Sequence, residues 1–198
     1  DRDHDGLPEW DHLLQTGFED NPLFDTWHPW SQGVDVSTVD NPGLYAMLAR
    51  EAGCLILMAE KLGRGSEVEL VRNQAELLEK AVAEGWDERA ALYAYRDLTS
   101  RLSLPGTVIA KGRGGMPLKP KAVFEKPIRL LIEVHTKSPA TKRPEVRIAE
   151  LSTTKPVEVI TSDHFQWRSG GLVTTSQKVY MRVGRVEVVG LDKKDTVI

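Results

Sequence analysis

Residues 40–85 read DNPGLYAMLAREAGCLILMAEKLGRGSEVELVRNQAELLEKAVAEG, and this stretch decides the first half of the fold. Asp40 or Asn41 is placed to cap a helix, and Pro42 suits its first turn, where a missing N–H costs no bond. Leu44, Met47, Leu48, Glu51, Leu55, Met58, Ala59 and Leu62 then recur at helical spacing, and Gly63 fits the stop. Ser66 and Glu69 form a capping-box pattern for a second helix. Val68, Val71, Ala75, Leu78 and Val82 make its apolar stripe, and Gly85 ends it. Both stripes are expected to pack into core. Two helices joined by LGRGS form an antiparallel hairpin. A hairpin cannot enclose a large core alone, so its apolar faces require neighbours, in the β-rich half or in chain outside this sequence.

From about residue 104 the period changes, and Pro, Gly and β-branched residues rise. PIRLLIEVHT (127–136), PEVRIAEL (144–151), PVEVIT (156–161), KVYMRV (178–183) and RVEVVGL (185–191) read as strands with partial alternation. Turn signals such as SPATKRP (138–144) and RSGG (168–171) separate them, which points to an antiparallel sandwich. Residues 111–121, KGRGGMPLKPK, read as a hinge or surface excursion, since they do not meet the Walker pattern and no helix follows. The expected class is therefore α+β, with a helical unit at 1–103 and a β-rich accessory unit at 104–198.

The chain has 198 residues, 40% hydrophobic and 28% charged, an ordinary globular composition. No apolar run approaches the roughly 20 residues of a membrane span, so no membrane partner is expected. There is no signal peptide and the chain starts at Asp rather than Met, as expected for a segment cut from something longer. Location stays open on this reading, with a lean towards the cytoplasm. The single cysteine, Cys54, excludes an internal disulfide and reads as a buried, inert thiol. Residues 1–98 hold 8 Lys and Arg against 20 Asp and Glu, and residues 99–198 hold 18 against 9. That asymmetry separates two units of different kind. The basic residues of the second half are scattered along strands without a basic helix or recognised motif, so nucleic acid is not an expected partner.

The chemistry concentrates in the first thirty residues, DRDHDGLPEWDHLLQTGFEDNPLFDTWHPW. Asp1, Asp3 and Asp5 place oxygens at alternate positions, and Gly6 permits a sharp turn. That is the front half of a calcium loop, because hard Ca2+ takes several oxygen ligands. An EF-hand expects Glu at its twelfth position, where this chain has His12, so closure falls to Glu9 or Asp11. Asp1, Asp3, Asp5 and Glu9 are the candidate metal ligands, against the alternative of a solvated acidic turn. Further on, Glu19 and Asp20 stand between Gly17 and Pro22. A carboxyl held near Phe18, Trp27 or Trp30 would have its pKa raised by desolvation and serve as a general acid. Glycosidic cleavage needs such an acid and a second carboxylate across the sugar. An Asx/Pro turn carrying a solvated acid pair is the competing reading.

The run QTGFEDNPLFD (15–25) resembles a signature of the (α/α)6-barrel glycoside hydrolases, the group of trehalase, processing α-glucosidase I and mannosylglycerate hydrolase. Gly17, Pro22 and Asp25 match that signature outright. Glu19 falls where the family has its general-acid Asp, with Asp20 as the neighbouring candidate; Gln15 stands for a Glu and Phe24 for a Trp. DGLPEWD upstream is similar to a substrate-facing loop of bacterial debranching-like relatives. VDVSTVDNPGLYAMLAREAGCLILMAEKLG resembles their barrel helix, and WDERAALYAYRD their aromatic, acid-bearing turn. The likeness covers residues 1–100. It implies a partial helical toroid, catalytic Glu19 or Asp20, and substrate contacts from Trp10, Gln15, Trp27, His28, Trp30 and Asp97. Trp86, Tyr93 and Tyr95 are sugar-stacking or core residues, His12 is a candidate for hydroxyl contacts, and Arg96 with Asp97 either pairs structurally or binds substrate.

The resemblance thus implies a segment of an inverting hydrolase acting on α-glucosidic or related bonds. Its general base lies outside these residues, its partners are a carbohydrate substrate and the remainder of the barrel, and the isolated chain is inactive. The β-rich half reads as an inserted accessory domain in which Trp167 is a core indole or a carbohydrate platform, while His135 and His164 show no metal-ligand spacing. Two other classes remain open: a non-catalytic carbohydrate-binding module, and a calcium-stabilised structural module.

Overall fold

Asn41 starts the helical half. Its side-chain oxygen accepts the N–H groups of Gly43 (2.9 Å) and Leu44 (3.1 Å), and α1 runs Pro42–Lys61 from that cap. The computed structural model describes residues 1, 3–18, 20–25, 31–151, 153, 155–168 and 170–198. It is an α+β chain that divides into two units, one formed by Asp1–Asp11 with Val39–Ser103, the other by His12–Thr38 with Leu104–Ile198.

In the first unit a 3-10 turn, Gly65–Val68, leads into α2, Glu69–Glu84, which Gly85 closes by donating to the carbonyls of Ala81 (3.1 Å) and Val82 (3.0 Å). The expected Ser66–Glu69 capping box does not form. The first turn is wound as 3-10, Val68 is an N-cap without a side-chain bond, and Glu67 pairs with Arg64 instead (Nε–Oε1 2.9 Å). Leu7, Leu44, Tyr45 and Leu78 form the core, with Trp10, Leu48 and Leu77 packed against it. The full α1 stripe is not core, which corrects the sequence expectation. Met47, Leu55, Leu57, Met58 and Leu62 are exposed, Met58 at 53% and Leu62 at 72%. One-sided cover accounts for residues 47, 54 and 58, which lie away from the face of Leu44, Tyr45, Leu48 and Ala52, while Leu55 and Leu62 continue the line of Leu48 toward the exposed end of the helix. Cys54 shares that outer face and is half-buried rather than buried.

Four two-residue strands finish this unit. They are β1 Val39–Asp40, β2 Trp86–Asp87, β3 Leu92–Tyr93 and β4 Arg96–Asp97. β1 pairs with β4, placing Asp40 opposite Arg96, and β2 pairs with β3, placing Trp86 opposite Tyr93.

The second unit contains β5 Gly112–Arg113, β6 Ala122–His135, β7 Glu145–Ala149, β8 Glu158–Ile160, β9 Gln166–Arg168, β10 Gly171–Val183, β11 Arg185–Val189 and β12 Thr196–Val197. One antiparallel sheet has the order β5-β12-β6-β10-β9 and the other β11-β7-β8. They share a core: Ile132 and Val134 of β6, Leu172 and Tyr180 of β10, Val146 and Ile148 of β7, Val186 and Val188 of β11. Each such aliphatic side chain removed from water contributes about 1.5–3 kcal/mol. The 111–121 stretch is not only a surface excursion, because Gly112–Arg113 joins the sheet edge through β12 and Leu118 bridges to Val186. Trp167 is exposed rather than core, since β9 is an edge strand paired only to β10. The register of β10 on β6 slips between Thr175 and Val179. That bulge is held by Glu158, whose carboxylate accepts the Gln177 N–H (2.6 Å), the Lys178 N–H (3.3 Å) and the Tyr180 hydroxyl.

Candidate functional site

The loop from His12 to Asp25 is built by local side-chain caps. His12 Nδ1 accepts the Leu14 N–H at 3.1 Å, and Gln15 Oε1 reaches back to the His12 N–H at 3.0 Å, a capping box around the short helix Leu13–Gln15. Thr16 accepts the Phe18 N–H at 2.9 Å, and Gly17 then adopts φ +67, a left-handed turn that disfavours a Cβ. The Asn21 side chain accepts the Leu23 N–H at 2.9 Å, and its carbonyl accepts the N–H groups of Phe24 (3.0 Å) and Asp25 (2.8 Å). The Pro22 and Leu23 carbonyls accept from Gln32 and Val34, both at 2.9 Å, and the Ser31 hydroxyl donates to the Asp25 carbonyl. Phe24 and Asp25 are fully buried, while Phe18 and Asp20 are exposed. Glu19, Trp27, His28 and Trp30 lie outside the described residues.

The acidic loop draws its carboxylates together. One oxygen from each of Asp1, Asp3, Asp5 and Glu9 lies within 4.8 Å of all the others. Asx turns shape it: Asp3 Oδ1 accepts the Asp5 N–H (3.4 Å) and Asp5 Oδ1 the Leu7 N–H (2.8 Å), and Gly6 at φ +87 makes the reversal. The Glu9 side chain is only 1% exposed, and its Oε2 lies 3.0 Å from the Asp1 amino group. Asp11, the other candidate for closure, is exposed.

Arg101 is the organising residue that sequence reading missed. Its guanidinium bonds Asp3 Oδ2 (3.0 Å), Asp5 and Asp40, and Asp40 Oδ1 accepts the Tyr45 hydroxyl at 2.7 Å. No spacing rule links residues 60 to 100 positions apart. The available signal was the turn RDLTSR, in which Asp97 accepts the N–H groups of Thr99 (3.0 Å) and Ser100 (2.8 Å) and folds Arg101 back. Burial and the adjacent Asp5 carboxylate push the Asp3 carboxyl up. Burial opposes the charge on Arg101, but the Asp40 carboxylate outweighs it and holds the guanidinium pKa high. Burial, then the Asp40 hydrogen bond, raise the Tyr45 phenol, which stays a neutral donor.

The remaining expected residues fall in different places. Trp10 packs on the helical core, Asp97 is a turn former, and Gln15 closes a cap. Trp86 and Tyr93 stack edge to face with centroids 5.0 Å apart on an exposed hairpin. Among the described residues no helix is long and apolar enough to cross a membrane. Comparison of the chain with family models, curated proteins and solved structures finds no match.

Proposed function

We propose that the chain is a segment of an inverting glycoside hydrolase that cleaves α-glucosidic or related bonds, with the general base supplied from outside these residues. The observation that carries this reading is the division of labour in loop 12–25. The three positions that match the hydrolase signature have backbone or anchoring roles: Gly17 takes a left-handed φ, Pro22 accepts from Gln32, and Asp25 is fully buried. The acid pair falls between these anchors in sequence, and Asp20 is exposed to solvent rather than held against Phe18, which is itself exposed. A strapped turn that offers a carboxyl is what proton delivery to a glycosidic oxygen requires. Glu19 is the proposed general acid, with Asp20 as the alternative, and the base would stand about 6.5–9.5 Å away across the sugar. The outer face of α1 fits the same reading: exposed Met47, Leu57 and Met58 would pack on further helices, as in a toroid. Trp27, His28 and Trp30 would be substrate contacts.

The test is hydrolysis of α-glucosides by the full-length parent, with wild type beside Glu19→Gln and Asp20→Asn. Loss only at Glu19 establishes the acid. Loss only at Asp20 shifts the role by one residue, and an inactive wild type across a broad sugar panel removes the hydrolase reading. Hydrolysis by the 198-residue chain alone would overturn the external base.

A second reading, calcium binding, is favoured by the acidic loop. Oxygens held 2.3–2.6 Å from one ion lie at most about 5 Å apart, and the 4.8 Å spread meets that limit with an all-carboxylate donor set. Asp1, Asp3, Asp5 and Glu9 would hold the ion, whose role would be to fix the loop. Melting the chain in calcium and in chelator tests this. An unchanged Tm sinks it.

A further inference from the structure

We propose that the helical unit binds one uncharged, polyhydroxylated ring of monosaccharide size in the cavity between the first turn of α1 and the last turn of α2. The cavity measures about 220 Å3. That is below the about 300–1,000 Å3 of drug-sized pockets, so it takes one ring rather than a chain. None of its lining residues belongs to loop 12–25, so this site stands or falls apart from the hydrolase reading.

The walls choose the ligand class. Three acids, Asp5, Asp40 and Glu84, face three cations, Lys80, Arg96 and Arg101. Two of the acids are already committed: Arg101 takes Asp5 and Asp40, and the second Asp40 oxygen receives the Tyr45 hydroxyl. The three acids and three cations of the lining balance, which favours a ligand without net charge over a cation or an anion. Glu84 sits 3.9 Å from Lys80, both on exposed side chains. Arg96 lines the same cavity and stands opposite Asp40 in the β1–β4 pair. The lining therefore offers both donors and acceptors that can turn to a ligand. A hydroxyl needs both, since it donates once and accepts twice. Leu7, Pro42, Leu77, Ala81 and Ala94 supply an apolar surface for the C–H face of a sugar ring or cyclitol.

The experiment is a titration of the 198-residue chain, followed by amide resonances of Ala81 and Ala94, with glucose, galactose, mannose and inositol, and with glucuronate and glycine as charged probes. A twelve-heavy-atom ligand at modest efficiency gives a Kd of about 1–10 mM. At least one neutral probe should saturate in that range, ahead of both charged probes. Arg96→Ala and Glu84→Gln should each weaken it about ten-fold, with resonance dispersion kept as the check on folding. Lys80→Ala, on an exposed helix position, provides an independent variant with the same expected direction. Three results overturn the proposal: no saturation by any neutral probe, tighter binding of glucuronate or glycine, or affinities unchanged in all three variants.

Discussion

Replacing Arg101 by methionine removes one guanidinium and leaves three carboxylates facing one another. The side chains of Asp3 and Asp5 keep 27% and 24% exposure, so their bonds to Arg101 behave as near-surface pairs of about 0–1 kcal/mol each. Asp40 keeps 9% and lies near the buried limit, where loss of one partner costs about 3–5 kcal/mol. Arg101 itself is 40% exposed, so water reaches that pair and brings its share down to about 1–2 kcal/mol. The expected loss is about 2–3 kcal/mol, or a fall in the helical unit's Tm of about 10–20 °C. Thermal melts of the full chain by far-ultraviolet ellipticity read it, because the helices lie in this unit. Arg101→Lys, which keeps the charge and loses the fork, should recover about half. Raising salt to about 1 M, where the screening length falls to about 3 Å, should erase the Asp3 and Asp5 share and leave the Asp40 share. A loss below about 0.5 kcal/mol for Arg101→Met would refute the reasoning, since the acidic loop would then be closed by something other than this ionic clamp.

Two further outcomes concern the β unit. Burial opposes ionisation of Asp195, but the Asp192 N–H, the Thr136 hydroxyl and the Lys142 ammonium together hold its carboxyl below the ordinary value of 3.8. A depressed carboxyl contributes stability above its unfolded pKa and loses it as pH falls through the folded value. Asp195→Asn should therefore cost about 2 kcal/mol at neutral pH and progressively less below pH 3.8, as urea midpoints at neutral and acid pH would show. Glu158→Gln replaces one acceptor oxygen by an NH2 donor that faces the N–H of Gln177 or of Lys178, and should cost about 3 kcal/mol. Tyr180→Phe should cost less, and a double-mutant cycle between the two should show coupling above about 0.5 kcal/mol.

The helical hairpin was legible because its signals are local. Asn41 caps, Pro42 opens, Gly85 closes, and the α2 stripe buries Ala75 and Leu78 where the spacing placed them. What failed was the inference from apolar to buried: Met58 and Leu62 have helical spacing yet lack a covering surface. Long β-branched runs marked β6, β7 and β11, but β5, β9 and β12 are two or three residues long and exist only through their partners. The acidic loop was legible from alternate aspartates and Gly6. Its clamp was not, because Arg101 meets Asp3 and Asp5 only after the whole hairpin has folded between them. Asp25 matched a motif position, and the structure adds that it is buried, a property alternation cannot supply for an irregular loop.

The division of the chain into interleaved segments sets an order of events during synthesis. His12–Thr38 belongs with Leu104–Ile198, yet it is made before every residue of the helical hairpin. At about 5–20 residues per second, the stretch that follows it takes roughly ten to thirty seconds to complete. Through that interval Phe24, Asp25 and Val36, all buried in the finished fold, have no sheet to enter. The helical unit has its own sequence in hand as soon as residue 103 is free, with a 27-residue segment looped out between Asp11 and Val39. A single cut at residue 103 does not separate the two units either, because it leaves the first part of the β unit tethered to the wrong piece. Excising either unit intact needs cuts at all three boundaries and a rejoining, so a truncation that fails to fold reports this threading and says nothing about sugar or calcium.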